Sequence, residues 1–333
     1  MARSSGSQST SGKAFEYACL KVFKQELQMF REVIVEDSPQ FETAKNNYEN
    51  LISDEARLQN DYSALAGLKV IERLEPRLHT SVDGKPLVLS LQTDAQGQSG
   101  DVRDLICSSG DWQIGISCKH NHEALKHSRL SSTIDFGAEW LGFPCSNQYF
   151  ASVSSLFDEL KQRKEDALAK GKNPTWEEFV PDKESRFYKG VLDAFMEEFL
   201  RIYREHPEEV ATNLVQYMYG RYDFYKLIAD VSKQATWINA INIKGDLCKA
   251  AGKEKPITKI PKPLLPKRVT HVGYRHEKGT TIEILLDEGW GMSLRIHSAS
   301  SKIEPSFKFD VQEISSPSCI YSQIEPWSSI SLG

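Results

Sequence analysis

Two short apolar runs meet at a glycine in SGDVRDLICSSGDWQIGISCKH, residues 99 to 120. Runs of this length flanking a Gly-containing turn read as an antiparallel strand pair, so the chain must build a sheet. Side chains alternate along a strand. Gln113, Gly115, Ser117 and Lys119 therefore share one face, and Trp112, Ile114, Ile116 and Cys118 share the other, which is the core face. Neither Asp101 nor Lys119 helps a strand form, so the two charges either cap the ends of the hairpin or serve chemistry.

The length of the turn decides which side chains meet. A three-residue loop Ser108-Ser109-Gly110, with Gly at the left-handed position, pairs Asp111 with Cys107 and Ser117 with Asp101. Asp101 and Lys119 then lie on one face. A two- or four-residue loop would turn Asp101 toward the core. In the first register a carboxylate beside a lysine can hold Mg²⁺ and position a water against a phosphodiester. A surface ion pair is the competing reading.

The rest of the chain frames this hairpin. At 333 residues and 40% hydrophobic content it can bury two or three cores. No apolar run approaches the roughly 18 residues of a membrane span, and MARSSGSQSTSG lacks a secretory core, so a cytoplasmic protein without membrane contact is expected. Cys19, Cys107, Cys118, Cys145, Cys248 and Cys319 are scattered singly, which predicts reduced thiols. Cys118, His120, His122 and His127 cluster, yet lack the spacing of a tetrahedral zinc site.

Residues 1–11 read as a disordered tail, followed by a helix from about Lys13 that buries Phe15, Ala18, Cys19, Val22 and Phe23. More helix is expected through FETAKNNYENLISDEARLQNDYSALAGL, then a strand at KPLVLSL. Phe187, Val191, Phe195, Phe199 and Ile202 recur at helical spacing and form a core stripe. Residues 244 to 278 carry ten Lys and Arg against three acids, with four prolines, and read as a basic extended connector. Beyond it, apolar alternation around Asp287-Glu288-Gly289 predicts a small antiparallel sheet. The segments expected are a core over 12–150, a helical segment over 151–243, and a basic connector with a β-rich region over 244–333.

Asp101, fifteen intervening residues, then Ser117-Cys118-Lys119 resembles the PD-(D/E)XK nuclease signature. GKAFEYA places Glu16 on a leading helix, where many members of that fold carry another metal-proximal acid. Two longer stretches, GDVRDLI…WQIGISCKHNHEALKHSRLS and GWGMSLRIHSASSKIEPSFKFDV, resemble the HaeIII-type restriction endonucleases, and the similarity runs over most of the chain from Gly12.

The resemblance implies an α/β nuclease core, a mixed central sheet flanked by helices, with a helical segment and a small β-rich C-terminal region. It implies a type II enzyme that cuts double-stranded DNA at GGCC with Mg²⁺, leaving blunt ends, and a companion DNA methyltransferase. Two-fold symmetry on a palindrome suits a homodimer. By position Asp101 becomes the metal-binding acid, Lys119 the catalytic lysine and the Cys118 carbonyl a further metal ligand. Ser117 stands where most members carry Asp or Glu. Glu16, Glu123, Asp135 and Glu139 can supply that acid, and Glu16 is preferred.

For DNA contact, Arg295 and His297 share a strand face, and an Arg can bond guanine O6 and N7. Lys302 and Lys308 lie nearby for phosphates, while Lys126 and Arg129 share a face if HEALKHSRLS begins a helix. The rival functions are a structure-specific or repair nuclease of the same fold and a non-catalytic DNA-binding protein.

Overall fold

A computed structural model describes residues 5–93, 101–121, 124–126, 128–277 and 279–330. Helix α1 (Ser5–Leu27) precedes strand β1 (Val33–Val35), helices α2 (Pro39–Glu49) and α3 (Asp54–Leu74), and strand β2 (Leu87–Leu91). The hairpin follows as β3 (Leu105–Ser109) and β4 (Trp112–His120), then a two-residue strand β5 (Arg129–Leu130). Helices α4 (Asn147–Ala169), α5 (Lys189–Glu205) and α6 (Val210–Tyr219) lead into strands β6 (Phe224–Asp230) and β7 (Ala235–Ile241). The chain ends with β8 (Val269–Tyr274), β9 (Thr281–Leu286), β10 (Gly291–His297), β11 (Phe307–Ser315) and β12 (Tyr321–Pro326).

These elements form two compact units that the chain enters more than once. The first comprises residues 1–123, 220–263 and 318–333, the second 124–219 and 264–317. The three serial segments expected from composition are thus interleaved, because strand pairing joins elements far apart in sequence.

The first unit is a mixed seven-stranded sheet in the order β1-β2-β3-β4-β6-β7-β12. β1 runs parallel to β2 and β4 parallel to β6, and the remaining pairs are antiparallel. The core face of β4 packs against α1, while α3 lies against β6 and β7. Phe15, Ala18, Cys19, Val22 and Phe23 are buried together with Ile114, Ile116 and Cys118, as the helical spacing predicts. Each large apolar side chain so buried contributes about 1.5–3 kcal/mol. On α3, Gly67 faces β6 so closely that a Cβ there would lie 2.6 Å from Leu227 Cδ1, which brings helix and sheet into direct contact.

Two details depart from the sequence reading. Helix α1 reaches back to Ser5 instead of starting near Lys13: once the buried turn exists, extending it costs little even through serines. The long helical stretch after β1 is split in two. Ser38 and Ser53 each cap a helix, accepting the backbone N–H of Phe41 and Ala56 at 3.1 Å, and the capping serine starts a new helix axis.

The second unit is an antiparallel sheet in the order β5-β11-β10-β9-β8. Its apolar face meets an aromatic core in which the Phe195 ring lies 4.5 Å from Phe136 and 5.4 Å from Phe309. Phe187, Val191, Phe195, Phe199 and Ile202 are all buried. β9 turns into β10 at Asp287-Glu288-Gly289, where Gly289 adopts φ +87°. The basic connector begins pinned to the first unit: Asp223 accepts the backbone N–H groups of Lys244 and Asp246, each at 2.7 Å. Among the described residues no helix is long and apolar enough to cross a membrane, and all six cysteines are free thiols.

Candidate active site

The turn between β3 and β4 is shorter than the three-residue loop expected. Ser109 pairs with Trp112, so Gly110-Asp111 form a two-residue turn, and Gly110 supplies the positive φ of +61° that such turns require. The ladder continues through Leu105 opposite Ile116, and Asp104 N–H donates to the Ile116 carbonyl at 2.8 Å. Asp104, and not Asp101, is therefore the acid beside Ser117.

Three donors from β4 converge on Asp104 Oδ2: the Cys118 backbone N–H at 2.7 Å, Lys119 Nζ at 3.1 Å and Ser117 Oγ at 3.2 Å. This is a charge-assisted cluster, with the carboxylate fixed against the strand that carries the lysine. Glu16 approaches from α1. It is 7% exposed, and burial, then the neighbouring Asp104 charge, push its carboxyl up to about 7 against the pull of Lys13 and Lys119. Burial also acts against the Lys119 ammonium, yet Asp104 and Glu16 together outweigh it and raise the Lys119 pKa.

The two acids suit a hard divalent cation. Lys13 occupies Glu16 Oε2 and the β4 donors occupy Asp104 Oδ2, and among the described residues nothing donates to the other oxygen of either carboxylate. Mg²⁺ is commonly held by one or two carboxylates, with waters and substrate phosphate completing its shell. No group of three or more His, Cys, Asp or Glu side chains gathers among the described residues.

Asp101 has a different occupation. It takes a bidentate grip from Arg103, with Nε at 2.8 Å and Nη2 at 2.7 Å, and a further bond from Gln92 at 2.8 Å. The Arg103 guanidinium lies 3.9 Å from the Tyr222 ring, and its stem covers Gly115, where a Cβ would come within 2.0 Å of Arg103 Cδ. Asp101 thus anchors the segment that delivers Asp104. Ser117 is buried and bonds Asp104, so it acts as a support of the acid. The Cys118 side chain faces the core, and its hydrogen bond to Cys19, then burial, raise the thiol pKa, the opposite of a metal-bound thiolate.

Asp135 and Glu139 belong to the second unit. Asp135 accepts the backbone N–H groups of Ala138 and Cys145 at 2.9 Å, and so closes a local turn. Glu123, His122 and His127 lie outside the described residues.

The second unit gathers cations that sequence reading had treated in separate pairs. Lys308 on β11 pairs with Arg129 on β5 at one side and with His297 on β10 at the other. Paired residues of neighbouring strands share a face, so Arg129, Lys308 and His297 form one row. Burial, then the Arg129 charge, lower the Lys308 pKa, and burial lowers that of His297. Two residues from His297 along β10, Arg295 pairs with Asp310 and its Nη2 donates to that carboxylate at 3.1 Å. Lys302 is exposed beside the bridge to Thr175.

The segment expected to begin a helix after the hairpin pairs with β11 instead. Lys126 bridges Val311, Phe309 N–H donates to Ser128 O at 2.7 Å, and Lys126 Nζ sits 3.6 Å from the Tyr217 ring centre. An open sheet edge offers more backbone bonds than one short exposed helix, which overrides the helical pattern. The common helix face of Lys126 and Arg129 is therefore absent.

The model of the family described as HaeIII restriction endonuclease matches residues 12–317. The Type II restriction enzyme HaeIII of Haemophilus aegyptius is 34% identical over 320 residues, covering 95% of this chain and 97% of that protein. No solved structure matches the chain significantly. These relationships define a type II restriction enzyme, a site-specific deoxyribonuclease. Within that class the chain belongs to the HaeIII restriction endonuclease family.

Proposed function

We propose that the chain is a Mg²⁺-dependent endonuclease with a PD-(D/E)XK core that cuts double-stranded DNA at GGCC to leave blunt ends. The observation that carries the chemistry is the placement of Asp104 against Lys119 with Glu16 beside them. Family membership and the sequence resemblance support the substrate, the site and the products.

Glu16 and Asp104 would hold the ion, with the Cys118 carbonyl as a further oxygen. Bound Mg²⁺ supplies charge to a phosphoryl oxygen and acidifies a water. The chain's own groups do the rest. Asp104 fixes Lys119 through their 3.1 Å contact, and the raised Lys119 pKa keeps it an ammonium that donates to the attacking water or to the charge developing on phosphate. Asp101 and Ser117 position Asp104 and take no direct part.

Arg129, Lys308 and His297 face the phosphate backbone, aided by Lys302 and Lys126, while Arg295 reads a guanine edge with Asp310 holding its guanidinium. Two copies, one per half-site, meet the symmetry of a palindrome, and a companion DNA methyltransferase protects the host's own sites. The test is a digest of plasmid of known sequence with and without Mg²⁺, followed by mapping of the ends. Blunt cuts confined to GGCC and dependent on the ion are expected. Cutting at nicks or branches, or without added metal, would remove this reading.

A further inference from the structure

The two acids of the site are already matched one for one by ammonium groups. Lys119 Nζ lies 3.1 Å from Asp104 Oδ2, and Lys13 Nζ lies 3.0 Å from Glu16 Oε2. The second pair arises from α1 itself, because residues three apart on a helix stand on the same side. Elsewhere such a pair would be a minor surface contact. Here the acid is buried beside another carboxylate, and the lysine is the more exposed partner, with 23% of its side chain accessible against 10% for Glu16.

With Glu16 ionised, the charges of Glu16, Asp104, Lys13 and Lys119 sum to zero. A divalent cation would then enter a neutral site, close to an ammonium that repels it and occupies one carboxylate oxygen. A DNA phosphate brings negative charge to the same place and offers the ammonium another partner. We propose that Lys13 is a positioning residue that makes divalent-cation binding depend on DNA. It holds Glu16 in the free protein, keeps cation affinity low there, and moves to the phosphate when the duplex arrives. The two ligands are thereby coupled, each raising affinity for the other by the same factor. This inference rests on the reading of Glu16 and Asp104 as the metal site.

Mn²⁺ affinity, followed by electron paramagnetic resonance at pH 8.5 where Glu16 is ionised, tests it. Wild type, Lys13→Met, Lys13→Gln and Glu16→Gln are compared without DNA and with the short duplex that the wild type cuts, made uncleavable at the scissile phosphate. Both neutral substitutions retain a good helix former at an accessible position, and thermal unfolding verifies that they fold. Removing one unit charge a few Å from a divalent ion should tighten Mn²⁺ binding to the free protein about tenfold. The further gain on adding duplex should shrink by a similar factor. Unchanged or weaker Mn²⁺ binding by both Lys13 variants, with Glu16→Gln abolishing it, overturns the role of Lys13 while leaving the metal site standing. Mn²⁺ binding that survives Glu16→Gln overturns the metal site and this inference together.

Discussion

Asp104 Oδ2 accepts the backbone N–H of Cys118 at 2.7 Å, which ties the acid to the peptide immediately before Lys119. A backbone donor cannot swing away as a side chain can. The distance between acid and lysine is therefore set by the hairpin register.

Asp104→Asn should abolish cleavage, by at least about a thousandfold, while DNA binding persists, because it removes a ligand and leaves the shape. Asp101→Asn should behave differently. It breaks a buried ion pair with Arg103, so it should cost about 3 kcal/mol of stability and retain most of the activity of the molecules that fold. Denaturant unfolding alongside single-turnover cleavage separates the two, and an Asp101→Asn enzyme that is stable but inactive would return the catalytic role to Asp101.

Lys119→Ala should lose cleavage by about a hundredfold or more with DNA affinity little changed, since its contact is made to the reacting centre. Lys119→Arg should recover little, because a planar guanidinium cannot reproduce a compact ammonium against Asp104. Full turnover by either variant would remove the residue from the mechanism.

The pH dependence of stability offers an independent check on Glu16. Its folded pKa of about 7 lies above the ordinary 4.5, so the folded state holds the proton more tightly than the unfolded state does. That stabilisation is fully present below about pH 4.5 and is lost as pH rises through 7, amounting to on the order of 1–3 kcal/mol. Glu16→Gln should flatten this slope in metal-free protein and abolish Mg²⁺-dependent cutting. An unchanged profile in urea unfolding between pH 5 and 8 would show that Glu16 does not titrate there.

Arg129→Ala and Lys308→Ala should weaken cognate and unrelated duplexes alike and each lower the salt slope by about one counterion. Arg295→Ala should instead lose about 1 to 3 kcal/mol at the cognate site alone. Competition titrations at several salt concentrations measure both, and uniform weakening by Arg295→Ala would reassign it to the phosphate contacts.

Periodicity announced much of this molecule. The apolar faces of α1 and α5, strand β2, the turn at 287–289 and the strand that carries Lys119 all follow from local spacing, because burying a stripe needs no knowledge of distant residues. Glu16 on the buried α1 helix could be nominated in the same way, by resemblance to enzymes with an acid on their first helix. Asp104 could not. Both Ser108-Ser109-Gly110 and Gly110-Asp111 are acceptable turns, and the choice between them moves the partner of Ser117 from Asp101 to Asp104. That choice belongs to the packed sheet, where Arg103 covers Gly115 and grips Asp101, so Asp104 alone is left to face β4. Lys13 had a signal, its three-residue spacing from Glu16, but the pair gains meaning from the burial of α1 beside Asp104. The row of Arg129, Lys308 and His297 had none, because it exists only once a sheet edge captures a segment from far earlier in the chain. Local sequence determines which faces are apolar; the long-range strand register decides which polar groups come face to face, and here that register sets the site.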